Sequence, residues 1–157
     1  MDITIRKYHP NDLPEMLELF RETVQSVNSR DYSSEQIAAW VSGADIKKWE
    51  QTLSEHYSLV ACDGDAIVGF GDIDLSGYLD RLYVHKDYQR MGVASRLLGE
   101  LESVCAAERI TTYASVTARP FFEAMGYIAL RENRVIRKDV VLMNYLMEKQ
   151  RHFKADN

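Results

Sequence analysis

The chain has 157 residues, 46% of them hydrophobic and 27% charged, with a formal net charge of −5. That length favours one domain, residues 1–157, with a real core, and the composition is that of a folded chain rather than a disordered one. The negative balance disfavours a general nucleic-acid binder. No apolar run nears the roughly 20 residues that span a bilayer, and the opening MDITIRKYHP lacks the apolar core of a signal peptide. Cys62 and Cys105 fall in apolar patterns without metal-ligand spacing, so buried free thiols in a reducing cytoplasm are expected and no metal is.

In chain order, Asp2 to Tyr8 alternates loosely and predicts a strand. Asn11 then stands as the expected helix N-cap, with Pro14 early enough to do no harm. Leu13, Leu17, Phe20, Val24 and Val27 follow at helical spacing, a stripe that predicts packing on a sheet. Ser33 with Gln36 three positions on reads as a capping box, opening a short helix through Ile37, Ala38 and Trp40. Lys47 to His56 predicts a further helical turn or two. Leu59–Cys62 and Ala66–Phe70 read as strands joined by a hairpin at Asp63-Gly64-Asp65.

The next strand runs from about Tyr78 to Val84, and a long amphipathic helix follows to about Arg109, with Leu97, Leu98, Leu101, Val104 and Cys105 on one face. Ile110 to Val116 predicts a strand and Thr117 to Met125 a short helix, with Gly126 just beyond its C-terminus. Tyr127–Arg131 and Val140–Met147 close the chain as two paired strands. The expected class is therefore α/β (α+β), a mixed sheet with helices on its faces.

Between the Tyr78–Val84 strand and its helix lies Gln89-Arg90-Met91-Gly92-Val93-Ala94. A glycine there lets the backbone turn tightly, and the small residues after it leave the first helical turn uncluttered. A helix start presents unpartnered N–H groups and the positive end of a dipole, which suits a phosphate or pyrophosphate. Arg81, Lys86, Arg90 and Arg96 gather positive charge nearby. On physics alone, an anion site and an ordinary strand-to-helix connection stand about level.

The stretch Leu82–Leu98 resembles the acetyl-CoA-binding motif of the GNAT N-acetyltransferase superfamily, a Gln/Arg-x-x-Gly-x-Gly/Ala that follows a strand. Ala118-Arg-Pro-Phe-Phe-Glu-Ala-Met-Gly-Tyr127 is similar to the family's second cofactor motif. Both occur in order and in the right elements. The resemblance implies a mostly antiparallel, splayed sheet with helices on both faces, and acetyl-CoA in the opening between the Tyr78–Val84 and Ile110–Val116 strands. It implies that Leu82, Tyr83 and Val84 bind the pantetheine arm and help polarise the acetyl carbonyl. Gln89, Arg90, Met91, Gly92, Val93, Ala94 and Ser95 would take the pyrophosphate, and Phe121 and Phe122 would line the thioester end. A homodimer is compatible with it.

Acetyl transfer needs a neutral amine, donors for the carbonyl oxygen and a departing thiolate. Many family members place a Tyr two residues after the position of Pro120 to protonate the sulfur; this chain has Phe122, which carries no proton. Tyr113 and Ser115, on one face of the Ile110–Val116 strand by period-2 alternation, are the candidate substitutes. For the base, Tyr78 stands where some members carry Glu, and Asp80 shares its face if the strand is regular; a solvated strand end or a salt bridge explains Asp80 equally well. His56 and His85 are weaker candidates, the latter expected to be exposed at the anion turn, and Asp72 and Asp74 add negative charge.

The acceptor site is expected at the junction of the first two helices, with Asn28, Tyr32 and Trp40 contributing. Trp40 reads more readily as a buried helix anchor. The leading expectation is an acetyl-CoA-dependent N-acetyltransferase acting on a small-molecule or protein amine. A non-catalytic acyl-CoA-binding module of the same fold is the alternative, favoured by Phe122. A nucleotide-binding regulator is disfavoured, because neither Gly-x-x-x-x-Gly-Lys nor Gly-x-Gly-x-x-Gly occurs.

Overall fold

A computed structural model describes residues 2–153. Seven strands form one sheet: β1 (Ile3–Lys7), β2 (Tyr57–Asp63), β3 (Ala66–Ile73), β4 (Tyr78–Val84), β5 (Arg109–Ser115), β6 (Ile128–Arg137) and β7 (Val140–Gln150). Their order across the sheet is β1-β2-β3-β4-β5-β7-β6. Every neighbouring pair is antiparallel except β4 and β5, which run parallel. The helices are α1 (Leu13–Ser26), α2 (Ser34–Ser42), α3 (Ile46–Glu55), α4 (Val93–Val104) and α5 (Arg119–Ala124).

The predicted mixed sheet with helices on both faces is the one observed. On one face Met16, Phe20 and Val24 of α1 meet Trp49 and Leu53 of α3 over Val60 and Phe70. On the other, Leu97, Leu98 and Leu101 of α4 pack with Phe122 over Leu59, Leu79 and Ile110. The Ser33–Gln36 capping box forms as expected, and the hairpin turns at Gly64 with φ +60°.

Several boundaries differ from the sequence reading. Asn11 is not the first N-cap. His9 is: it accepts from the Asn11 N–H through Nδ1, and Asp12 accepts from the His9 N–H, so a short 3-10 turn over Pro10–Asp12 precedes α1. Helix α4 stops at Val104 rather than near Arg109, because Cys105 turns extended. The Arg151 guanidinium takes the carbonyls this frees, at Glu102 (2.6 Å), Cys105 and Ala107. Strand β6 runs on to Arg137 because Lys138 and Asp139, both at positive φ, make a tight two-residue turn into β7.

The feature that positions the site is a failure of pairing. β4 and β5 pair only at Tyr78–Thr111 and Leu79–Thr112 and then part, while β5 stays paired to β7 along its whole length. The sheet splays, and the rest of β4 faces an open gap.

Candidate active site

Antiparallel bonding alternates, and the His85 N–H donates to the Val68 carbonyl. The bonded pairs with β3 therefore fall at His85 and Tyr83, which turns the N–H groups of Leu82 and Val84 away from β3 and into the gap. The Val84 carbonyl, pointing the same way, is taken by Gln89 Nε2 at 2.6 Å and by Thr23 Oγ1 at 3.3 Å. The Gln89 side chain thus braces the turn from inside.

Beyond that brace, Gly92 adopts φ +81° and α4 begins with no side-chain cap. The first helical hydrogen bond closes only at the Arg96 N–H, so Val93, Ala94 and Ser95 offer three unpartnered donors. A Cβ built on Gly92 meets nothing within 4 Å, which leaves the donors an open cradle. Leu82, Tyr83, Val84, Gln89, Arg90 and Gly92 to Ser95 line one side of a cleft of about 530 Å³, and Phe121 and Phe122 the other. The Met91 side chain is not part of that lining and is 54% exposed. Phe122 is buried against Phe121 and Tyr127.

A second cleft, of about 380 Å³, opens on the α1–α3 side of the sheet. Tyr32, Trp40, Tyr78, Tyr83 and Tyr113 wall it, and Asp80 lies in its lining. Tyr83 and Ser115 border both clefts. Ser115 Oγ accepts from the Ala118 N–H at 3.0 Å and lies 3.4 Å from Asn28 Nδ2, which leaves its own hydroxyl hydrogen free to point outward. Asn28, expected in the acceptor site, lines the first cleft instead, because the 3-10 turn Asn28–Arg30 tucks it under β5. Tyr32 spends its hydroxyl on structure, donating to the Met143 carbonyl at 2.6 Å and accepting from the Val116 N–H. Trp40, expected as a buried anchor, is only half-buried and stacks edge-on against Tyr32 at 5.3 Å in the cleft wall.

Asp80 reaches the second cleft by an irregularity. Asp72 pairs with Arg81 and Ile73 with Leu79, so Asp80 is the extra residue of a bulge and strict alternation does not hold in β4. Behind it lies a charged cluster. Arg81 NH1 is 2.7 Å from Asp72 Oδ2 and 3.6 Å from Asp80, and its guanidinium lies over the Trp49 ring. His56 Nδ1 is 2.7 Å from Asp72 and 4.0 Å from Asp80. Burial pushes the Asp80 carboxyl above the usual carboxylate range, with Arg81 opposing. The hydrogen bond to Asp72 raises His56, and burial holds Tyr78 up at about 12. His85 is half-buried rather than exposed; its Nδ1 accepts from the Asp87 N–H.

The domain family described as "Acetyltransferase (GNAT) domain" matches residues 28–149. The chain belongs to that family. The N-acetyltransferase YafP of Escherichia coli K12, described as uncharacterised, is 34% identical over 146 residues, covering 93% of this chain and 95% of YafP. A GCN5-related N-acetyltransferase structure from Rhodopseudomonas palustris superposes with TM-score 0.90 at 32% identity, covering 96% of each chain. The PaiA N-acetyltransferase of Thermoplasma acidophilum, solved with coenzyme A, shares the fold at TM-score 0.78 and 22% identity, over 96% of this chain and 99% of that one.

Seen as a GNAT acetyltransferase, the chain shows what sequence reasoning missed. Tyr83 was expected at the cofactor alone, yet it faces both clefts, because its neighbours Phe20 and Phe70 hold the ring toward the α1 side. Tyr113 borders only the second cleft, stacked against Tyr78 at 6.2 Å. The Arg81–Asp72–His56 cluster left no local signal, since its members are brought together by strand register.

Proposed function

We propose that this chain transfers an acetyl group from acetyl-CoA to an amine nitrogen by direct attack on the thioester, the acetyltransferase domain taking in the whole chain. The observation that carries the reading is the meeting of the two clefts at Tyr83 and Ser115. One cleft is lined with free donors and the other holds a half-buried carboxylate.

The first cleft fits coenzyme A. The Val93, Ala94 and Ser95 N–H groups and the open space over Gly92 suit a pyrophosphate at the positive end of a 12-residue helix. Arg90 adds a cation at the cleft wall. The Leu82 and Val84 N–H groups match a pantetheine arm and a carbonyl oxygen that gains charge. When bound, acetyl-CoA supplies an acyl group already activated as a thioester.

The chain's own residues do the rest. Asp80 takes the proton of the attacking amine as the new C–N bond forms and the C–S bond breaks. Its raised pKa makes it a better base near neutral pH than an exposed carboxylate. The departing sulfur receives a hydrogen bond from Ser115, in place of the phenol that Phe122 lacks. A thiol of pKa about 8.5 leaves with little help, so a hydroxyl donor suffices where a strong acid is missing.

The test is release of free thiol from acetyl-CoA over a panel of amines, with coenzyme A affinity measured by calorimetry. Thiol release that depends on the amine is expected, and Gly92→Glu should abolish coenzyme A binding by putting charge into the cradle. Coenzyme A binding without thiol release for any amine overturns the transferase reading in favour of a non-catalytic acyl-CoA module. Unchanged affinity in Gly92→Glu removes the phosphate cradle from the turn.

A further inference from the structure

The second cleft has two chemically different ends. At the β4 end lies Asp80, the single carboxylate in its lining. At the far end β6 presents Asn133, Val135 and Arg137, alternate residues of one strand face. Asn144 stands directly across from Asn133 on β7 and joins the same wall.

Arg137 is the uncommitted charge of this wall. Among the described residues it makes no ion pair, and its recorded hydrogen bond is a 3.3 Å contact to the carbonyl of its own neighbour, Ile136. Its stem is folded against the end of α2, where a Cβ built on Gly43 comes within 3.2 Å of Arg137 Cδ. Arg137 also lines the second cleft. Asn133 Nδ2 donates to Asn144 Oδ1 at 2.9 Å, which leaves the Asn144 amide hydrogens unspent in the same cleft wall, across from Asn133 and four residues of β6 away from Arg137. A guanidinium fork without an ion-pair partner is by itself a carboxylate receptor.

Between the ends the walls are rings. A cavity of about 380 Å³ lies at the lower end of the range for small-ligand sites, too small for a folded partner to enter. We infer that the acceptor is a small amine that also carries a carboxylate, an amino acid or a close relative, with its nitrogen toward Asp80 and its carboxylate toward Arg137. This rests on the acetyl-transfer reading of the same cleft. Peptide-borne lysine lacks the second charge and is disfavoured. The bland role of Arg137, a cation beside the C-terminal end of α2, predicts no such selectivity.

The experiment uses matched pairs, each an amino acid and the amine left by removing its carboxylate, such as phenylalanine with phenethylamine and tyrosine with tyramine, together with aliphatic pairs and a lysine peptide. Steady-state thiol release gives kcat and KM for each. Binding to the coenzyme A-loaded protein is read separately by calorimetry, so the answer does not depend on turnover.

The wild type should favour the acid-bearing member of at least one pair, mainly through KM. Arg137→Gln should shrink that preference roughly 10–100-fold, about what one charge-assisted hydrogen bond is worth. Equal treatment of both members in turnover and in binding overturns the inference, as does an Arg137→Gln variant that loses both members alike. If no amine releases thiol, transfer fails while the binding preference still decides the acceptor class; no binding of any acid-bearing amine overturns it.

Discussion

Asp80 carries a charge that burial disfavours and Arg81, 3.6 Å away, supports, and the balance leaves its carboxyl above the ordinary range. In the proposed role of base it works ionised, so activity should climb as pH rises through its pKa. Asp80→Asn keeps the shape and removes the basicity. We expect kcat/KM to fall by about 10²–10⁴-fold and the acidic limb of its pH profile to flatten. Profiles from pH 5 to 9 for both proteins check this; a variant limb that coincides with the wild type's would move the base elsewhere. Tyr78 is no substitute at neutral pH, because burial keeps its phenol protonated to about 12. For the proposed donor to the sulfur, Ser115 is better placed than Tyr113, which does not line the first cleft. The sequence named both hydroxyls from strand parity, but only the splay decides which cleft each one sees.

At the scale of elements, what was legible is what is local. The Ser33–Gln36 capping box, the Gly64 hairpin and the strand-turn-helix around Gly92 each lie within a few consecutive residues, and each formed. The Asn11 cap went wrong because His9 is an uncommon capping residue whose ring nitrogen here does the work of a Ser or Asp oxygen. The end of α4 and the bulge at Asp80 went unseen because their causes are distant: Arg151 from the chain's end and Asp72 from another strand. Strand β3 has little tolerance where α4 lies directly on Gly71. A Cβ there would sit 2.9 Å from the Arg81 carbonyl oxygen and 2.9 Å from Leu101 Cδ1. The carbonyl is backbone and cannot swing aside. Gly71→Ala should therefore cost about 1–3 kcal/mol as overpacking, despite the alanine's better strand entropy. A denaturant midpoint equal to the wild type's would show that α4 can lift off the sheet without penalty.

Across the whole molecule, the second cleft rests on a charged floor that ties α3 to the middle of the sheet. Asp72 is fully buried, with Arg81 and His56 each 2.7 Å from its Oδ2, and Arg81 also donates to Thr52 of α3. His56, Asp72 and Asp80 bring ligand atoms within 4.8 Å of one another, and the cation among them is the Arg81 guanidinium. Such a cluster ties stability to pH through His56. Its hydrogen bond to Asp72 raises the folded-state pKa above the ordinary 6.5, against the opposing effect of burial. A raised pKa means that folding favours the protonated imidazole. The contribution is fully present below pH 6.5 and is lost as pH rises through the folded-state value. Asp80, also raised by burial, shifts stability in the same direction as its own carboxyl titrates. The wild-type melting temperature should therefore decline from about pH 6.5 upward, whereas His56→Gln, which can still donate to Asp72 but cannot titrate, should lose that part of the slope. Because the pair is shielded from solvent, the decline should persist when salt is raised to about 1 M, where exposed ion pairs are screened within roughly 3 Å. Parallel melting curves for the two proteins between pH 6 and 9 would assign the pH response to groups other than His56.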